Sequence, residues 1–487
     1  MSLPDVSRVP LASRELLREL SARLRTLGVG RAAIEPFMRH GEHWLDRMRR
    51  PLRTYYLRRE RTPLVFALRL FVFMDPVTRE EALEALGSEA LLSSLLDVGL
   101  LVGRDRGVVC PFLLNAVEDQ YVLCDDLSNR GEAVMGASAT TAGLLQATWP
   151  VKPLARVLDL GCGAGTAALM LAAGGASVVG SDINPRAIVL AKLNQALNDL
   201  DGATFLEGDL FAPVEGERFD LIVGQPPFIS KPDSDETVAY LHGGARGDEL
   251  LLRILKELPA RLAPGGRAVF LADWPQYDGA APAERIRAAL GEGKFDLLLF
   301  VSPPKDLGEH VAVYAAGQHP DFGEEYARAV HQHLAHLNRL GVTELRAMLF
   351  VVRATERTPW THALETQSFV VARPTGAQIE RLIAAQDLLT GDPAALRAAR
   401  LVVPEATRFT RDEAGQVRVD LDASRLIGSV ICSQSAAELL SVVHESPSVA
   451  HAVATLAKRM KLDNPAGRAQ IFQAVQTALA QGLLELG

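Results

Sequence analysis

Seven apolar runs punctuate residues 131 to 373: "ARVLDLG", "ASVVGSD", "ATFLEGD", "FDLIVGQ", "GRAVFLAD", "FDLLLFVS" and "RAMLFVVRA". Between several of them apolar residues recur at helical spacing, as in "NPRAIVLAKLNQALNDL" and "DELLLRILKELPARLA". Strand and helix patterns in alternation predict an α/β domain, doubly wound around a mostly parallel, Rossmann-like sheet.

The flanks carry a different pattern. Residues 1–130 read as mostly helical. "TREEALEALG" places Thr78 three residues before Glu81, the capping-box spacing at a helix start. "EALLSSLLDVGLLVGRDRGVVC" then gives a helix, a short strand, a polar turn at Arg104-Asp105-Arg106-Gly107 and a second strand. Helix, helix, hairpin is the order of a winged-helix unit. The second helix has no basic run, which favours packing over nucleic-acid binding. "RPTG" at 373–376 marks a boundary. Residues 374–487 are expected to be mainly helical after a β-like stretch, "RFTRDEAGQVRVDL". Their last helix runs into a "GLL" pattern, as the N-terminal one does at Gly99-Leu100-Leu101. The chain therefore divides at 1–130, 131–373 and 374–487.

Composition narrows the function classes. The 487 residues are 48% hydrophobic and 23% charged, as expected of a globular protein. A net charge of -8 excludes a polycation that coats nucleic acid but leaves a local basic surface open. Cys110, Cys124, Cys162 and Cys432 show no metal-ligand or disulfide spacing. The opening "MSLPDVSRVPLASRELLREL" lacks the apolar core of a signal peptide. "LVFALRLFVFM" at 64–74 is too short to span a bilayer and carries Arg69. A cytoplasmic protein without a membrane partner is the expectation. "RMRRPLRTYYLRRERTP" sets Arg47, Arg49, Arg50, Arg53, Arg58, Arg59 and Arg61 around Tyr55 and Tyr56. Such a stretch suits phosphate contact and base stacking; the acidic net charge favours a solvated helix face. His331, His333 and His336 share one helical stretch without a nearby third ligand and read as surface histidines rather than a metal site.

The strongest chemical signal is "VLDLGCGAGTAAL" at 157–169. A strand ends at Asp159, turns through Gly161, Gly163 and Gly165, and enters a helix. Three glycines let a ligand approach the backbone where any Cβ would clash. A dinucleotide fingerprint would place its third glycine at the sixth position, which here is Thr166. Further on, "VVGSDINPRAI" ends a strand with Asp182 and "FLEGDLF" ends one with Asp209. Each acid alone reads as a helix cap or turn residue. At successive strand ends behind a glycine loop, both stand where open α/β sheets bind ligands. The fourth strand runs into "GQPPF": Gln225, Pro226, Pro227 and Phe228.

G-x-G-x-G after Asp-Leu resembles the cofactor loop of class I S-adenosylmethionine (SAM)-dependent methyltransferases. "GQPPF" resembles the [Asn/Asp/Ser]-Pro-Pro-[Tyr/Phe] motif of the amino methyltransferases among them. "DINPRA" and "GGARGDELLLRIL" are similar to segments of release-factor glutamine and ribosomal-RNA guanine N2-methyltransferases. The likeness covers residues 131–275. It implies SAM over Gly161, Gly163 and Gly165, with Asp159 also among the cofactor-binding residues, Asp182 on the ribose and Asp209 near the adenine amino group. It also implies methyl transfer to a planar amine or amide nitrogen held by Gln225, Pro226, Pro227 and Phe228. Such a nitrogen is a poor nucleophile because its lone pair is delocalised. Two carbonyl acceptors on its N–H bonds pull it toward tetrahedral geometry. Gln225 departs from the family's Asn, Asp or Ser by carrying the amide one methylene further out. "VMGASATTAGLL" falls where those families line the cleft, making Thr140 and Thr141 candidate polar contacts. The large flanks favour a macromolecular acceptor, a protein glutamine or an RNA base, over a small molecule. The rival from another class is a regulator that binds nucleic acid and senses SAM without turnover.

Overall fold

A computed structural model describes residues 3–37, 50–104, 107–126, 131–149, 155–232, 240–277, 281–319, 321–366, 369, 375–411, 416–421 and 426–487. It divides into two compact units. All seven runs read as strands in the sequence form strands.

The first unit contains Met1–Thr141, Val151–Arg261 and Gly308–Leu340. Its central strands are β5 (Arg156–Leu160), β6 (Ser177–Asp182), β7 (Ala203–Glu207) and β8 (Phe219–Gly224). They lie in the order β8-β5-β6-β7, all parallel. The order reverses beside β5, the place where doubly wound sheets open a crevice. Leu160 pairs with Ser181 and with Gly224, and Asp182 pairs with Glu207. The register therefore brings the carboxyl ends of all four strands to one edge.

Four earlier strands complete this unit: β1 (Val102–Arg104), β2 (Gly107–Val109), β3 (Leu113–Val117) and β4 (Gln120–Cys124). Before them, the helix Arg79–Leu86 carries the full capping box: Thr78 and Glu81 each bond the other's backbone N–H. The helix Glu89–Asp97 ends with Gly99 at φ 77°, and Leu101 N–H bonds back to Leu95 C=O. Leu100 and Leu101 are thereby buried before β1 leaves. The helix–helix–hairpin order expected at 78–109 is present, with Asp105 and Arg106 of its turn outside the described residues.

One hydrophobic cluster joins these N-terminal helices to Ala187, Leu190, Leu193 and Leu197 of the helix Pro185–Leu197. Polar bonds reinforce the join. Asn194 accepts from Leu123 N–H and donates to Leu123 C=O, both at 2.8 Å, and donates to Ala164 C=O at 2.9 Å. One turn on, Asn198 accepts from Tyr121 N–H and donates to Tyr121 C=O. Arg186 grips the buried Asp125 with two bonds, at 2.6 and 2.8 Å. The N-terminal segment is thus built onto the helix that follows Asp182.

The second unit contains Ala142–Pro150, Leu262–Leu307 and Gly341–Gly487. Its main strands are β9 (Leu262–Tyr277), β10 (Phe295–Val301), β11 (Val342–Ala354) and β12 (Thr361–Glu365), in the order β12-β10-β11-β9. β10 and β12 are parallel, while β11 runs antiparallel to both its neighbours. The fold class expected from the sequence therefore holds, with reversal confined to β11. Asp296 of β10 is buried and bonded by Arg353 and Arg357, which also reach Asp387 on the helix Gly376–Thr390. Two cations facing two carboxylates satisfy a charge that would otherwise be costly inside. Beyond, Arg408–Arg411 pairs antiparallel with Val417–Asp420, as the "RFTRDEAGQVRVDL" pattern anticipated. Three helices follow, Gln434–Glu445, Val449–Arg459 and Pro465–Ala480.

Candidate active site

The glycine loop leaves β5 with Gly161, Gly163 and Gly165 all in the left-handed region, at φ 75°, 53° and 83°. A Cβ on Gly161 would meet nothing within 4 Å, so its outer side is open. The loop is pinned from beneath. Gly161 and Cys162 N–H both donate to Ser181 C=O, at 2.8 and 3.0 Å. Gly163 N–H donates to Asp182 Oδ2 at 2.9 Å.

Asp182 is the centre of this arrangement. Its other oxygen accepts from Asn184 N–H at 2.9 Å, and Asn184 caps the helix that begins at Pro185. Burial raises its pKa against the pull of these two N–H bonds. Each carboxylate oxygen keeps a second lone-pair site for a further donor. Asp159 lies lower. It is 3% exposed, and its Oδ2 accepts from Ala168 N–H at 2.9 Å. Burial pushes its pKa up to about 7. The structure makes it a brace between β5 and the helix Thr166–Ala173.

Asp209 lies past the end of its strand, a correction to the sequence expectation. β7 stops at Glu207; Gly208 N–H makes the last ladder bond, to Asp182 C=O at 2.9 Å, and the chain then leaves the sheet. Asp209 is exposed and paired with Arg253.

Gln225 follows Gly224 directly, on the same edge as Asp182. Its side chain is half-buried, and its Oε1 lies 3.5 Å from Thr141 Oγ1. Thr141 is held in turn by Ser138, whose Oγ accepts from Thr141 N–H at 3.1 Å. Thr140 bonds Ser138 and gives no contact to Gln225 among the described residues. Pro226 is buried, and Phe228 is half-buried. The backbone after them pairs with a returning segment: Ile229 N–H donates to Leu241 C=O, Gly243 N–H to Ile229 C=O and Lys231 N–H to Gly244 C=O. The "GGARGD" turn presses on this pair. A Cβ on Gly243 would fall 2.4 Å from Pro227 C=O, and one on Gly247 would fall 2.7 Å from Phe228 C=O. Only glycine permits that approach.

The geometry gathers Gly161, Gly163, Gly165, Asp182, Gln225 and Phe228 at adjoining strand ends. It sets Asp159 underneath and Asp209 at the rim. An open glycine loop, a two-oxygen acceptor, an amide and an aromatic ring thus lie along neighbouring strand ends.

Residues 138–273 match the methyltransferase small domain. A release factor glutamine methyltransferase of Xylella fastidiosa (strain 9a5c) is 37% identical to this chain over 144 residues, 28% of this chain and 52% of that protein. Another, from Geobacter sulfurreducens, is 40% identical over 125 residues, 23% of this chain and 43% of its own. Ribosomal RNA small subunit methyltransferase C of Alcanivorax borkumensis is 34% identical over 111 residues, 23% of this chain and 30% of its own. The chain spans about half the length of such relatives, or less. They are the group that "GQPPF" resembled.

The methyltransferase-like segment also contains side chains that the sequence did not single out. Ser230, His242 and Ala245 are contacted by His333, Tyr314 and His336. The expectation of surface histidines is overturned for two of the three: His333 and His336 are buried, and only His331 is exposed. The available signal was their i, i+3 spacing on the face that also carries Leu337.

The basic stretch lies in the same unit. Arg47 and Arg49 fall outside the described residues. Arg50 pairs with Asp126, Arg58 with Asp75 and Arg61 with Glu81. Arg59 lies over the Tyr55 ring, 4.4 Å from its centre. Among the described residues no helix is long and apolar enough to cross a membrane, and no three His, Cys, Asp or Glu side chains gather as a metal site.

Proposed function

We propose that this protein is a cytoplasmic SAM-dependent N-methyltransferase acting on a planar amine or amide nitrogen of a macromolecule. The observation that carries this reading is Gln225. Its amide stands at the carboxyl end of β8 with Thr141 Oγ1 near its oxygen and two prolines stiffening the loop beyond it. It shares one sheet edge with the glycine loop and Asp182.

The residues present fit the cofactor. The open side of Gly161 accepts a close-lying ligand, and the spare lone-pair sites of Asp182 suit a pair of ribose hydroxyls. Asp209, paired with Arg253 at the rim, would accept from an adenine amine. When bound, SAM supplies an activated sulfonium methyl. The chain's own residues prepare the acceptor. Gln225 Oε1 and the following backbone carbonyl accept its two N–H bonds and aim its lone pair. Thr141 O–H steadies Gln225. Pro226 and Pro227 fix φ, so the acceptors do not drift. Phe228 stacks on the flat group. The methylated nitrogen releases its proton without a dedicated base.

The acceptor classes are a protein glutamine and an RNA base, which the names of the relatives support. Residues 1–130 and 374–487 would dock it. Phosphate contact by Arg47–Arg61 is the less favoured part, since Arg50, Arg58 and Arg61 already face carboxylates.

Two measurements test the proposal. Titration calorimetry should show SAM binding that Asp182→Ala weakens about ten- to a hundredfold, the range expected for losing bonds to a charged acceptor. Methyl-labelled SAM with fractionated extract should place label in protein or RNA. Label in small molecules only, or none with SAM bound, overturns the acceptor reading or the enzymatic one respectively.

A further inference from the structure

Between β10 and β11 the chain forms the helices Leu307–Gln318 and Glu324–Leu340, and residues 308–340 belong to the first unit. Three of their side chains reach the segment that follows Gln225. His333 Nε2 lies 2.9 Å from Ser230 Oγ. Tyr314 Oη lies 2.5 Å from Nε2 of His242, which is bridged to Ile229. His336 Nε2 donates to Ala245 C=O at 2.7 Å. The outgoing loop segment, the returning segment and the glycine turn are thus each held by one ring. All five side chains are buried, His333 to 1%. Tyr314 meets His333 edge-on, with ring centres 4.7 Å apart, so the three contacts form one packed cluster.

The His333 ring is uncharged. A carbonyl only accepts, so His336 holds its proton on Nε2. Burial, with His310, His336 and His242 nearby, lowers the His333 pKa to about 3, which keeps that imidazole neutral at physiological pH. Its Nδ1 has no partner among the described residues. One hydrogen bond and close ring packing therefore hold this side chain against Ser230.

We propose that His333, Tyr314 with His242, and His336 are positioning residues that set the geometry of the Gln225–Phe228 loop; the inference rests on reading that loop as the acceptor site. Ser230 lies five residues after Gln225, with Pro226 and Pro227 between them. A shift at Ser230 is transmitted along this stiff segment rather than absorbed. A displacement of about 1 Å at a reacting group costs on the order of a hundredfold in rate.

The test uses the full chain with Ser230→Ala, His333→Ala and His333→Gln. For both alanine variants, kcat should fall roughly ten- to a hundredfold while SAM affinity stays within about twofold. His333→Gln, which restores a side-chain nitrogen near Nε2, should recover part of the loss. Independently of turnover, amide hydrogen exchange at Ile229, Lys231 and Gly243 should quicken in both alanine variants, while exchange in β5 and β6 is unchanged. Unchanged exchange at those three amides overturns the proposal, as does a loss of SAM affinity equal to the loss of kcat. If the wild type binds SAM but methylates nothing, the reading of the loop fails, and the exchange measurement still decides whether these residues hold it.

Discussion

Two strands of this molecule end in a polar side chain followed by two prolines. β8 runs into Gln225-Pro226-Pro227 and β10 into Ser302-Pro303-Pro304. By letters alone, each matches three of the family pattern's four positions: the first lacks the opening Asn, Asp or Ser, and the second has Lys305 where the ring should stand. The structure gives them opposite characters. Ser302 Oγ accepts from Ala347 N–H at 3.0 Å and donates to Pro303 C=O at 2.9 Å. Its N–H bonds Ala347 C=O and its C=O accepts from Arg346. Just beyond, Lys305 donates to both oxygens of Asp273. The side chain and backbone of Ser302 are both spent on the fold. Among the described residues, Gln225 has one long side-chain contact, with Thr141. A motif becomes a tool through the hydrogen-bonding capacity its surroundings leave unused.

The sharpest way to break this contrast is Gln225→Ala. It should lower kcat on the order of a hundredfold, or about 3 kcal/mol at the barrier, with SAM affinity little changed. Steady-state kinetics beside calorimetry would show it, and equal losses in both would make Gln225 a structural residue. Next comes Gly247→Ala. Its φ of 89° and the approach to Phe228 C=O leave no room for a methyl group, so the loop must move. Turnover should drop about tenfold or more; unaltered kinetics would show that the glycine turn does not set the loop. Phe228→Ala should raise the KM for the acceptor about two- to tenfold, the worth of one aromatic contact, and spare kcat. A fall in kcat alone would reassign the ring to the transition state. Smallest is Ser302→Ala. Activity should be unchanged and stability reduced by about 1 kcal/mol in a urea titration. A loss of turnover there would erase the distinction between the two turns.

Much of this arrangement was legible in the chain. Asp182 and Gln225 could be placed because parallel strands deliver their last residues to one edge, and apolar runs mark where strands end. Asp209 was misplaced by two residues, since β7 ends at Glu207 and the chain leaves the sheet after the ladder bond of Gly208. The reversal at β11 was invisible because alternation is the same in either direction. His333 was misread because its partner is 103 residues away, and His336 because its partner is 91 away. Local periodicity put both rings on one face; only the fold says what that face meets. Asp159 showed a further limit: the sequence counted it among the cofactor-binding residues, and could not reveal its burial or its bond to Ala168.

The amides of Asn194 and Asn198 do more than join the N-terminal segment to a helix. β4 has β3 on one side, and the N–H and C=O groups of Tyr121 and Leu123 point to the other. An uncovered strand edge is a template on which another chain can add itself. Here two side chains one helical turn apart complete the pairing that a neighbouring strand would otherwise make. Protection against unwanted association between molecules is therefore written into the buried face of the helix that follows Asp182. A leucine at either position would keep the helix but leave a backbone N–H and C=O of β4 buried without partners.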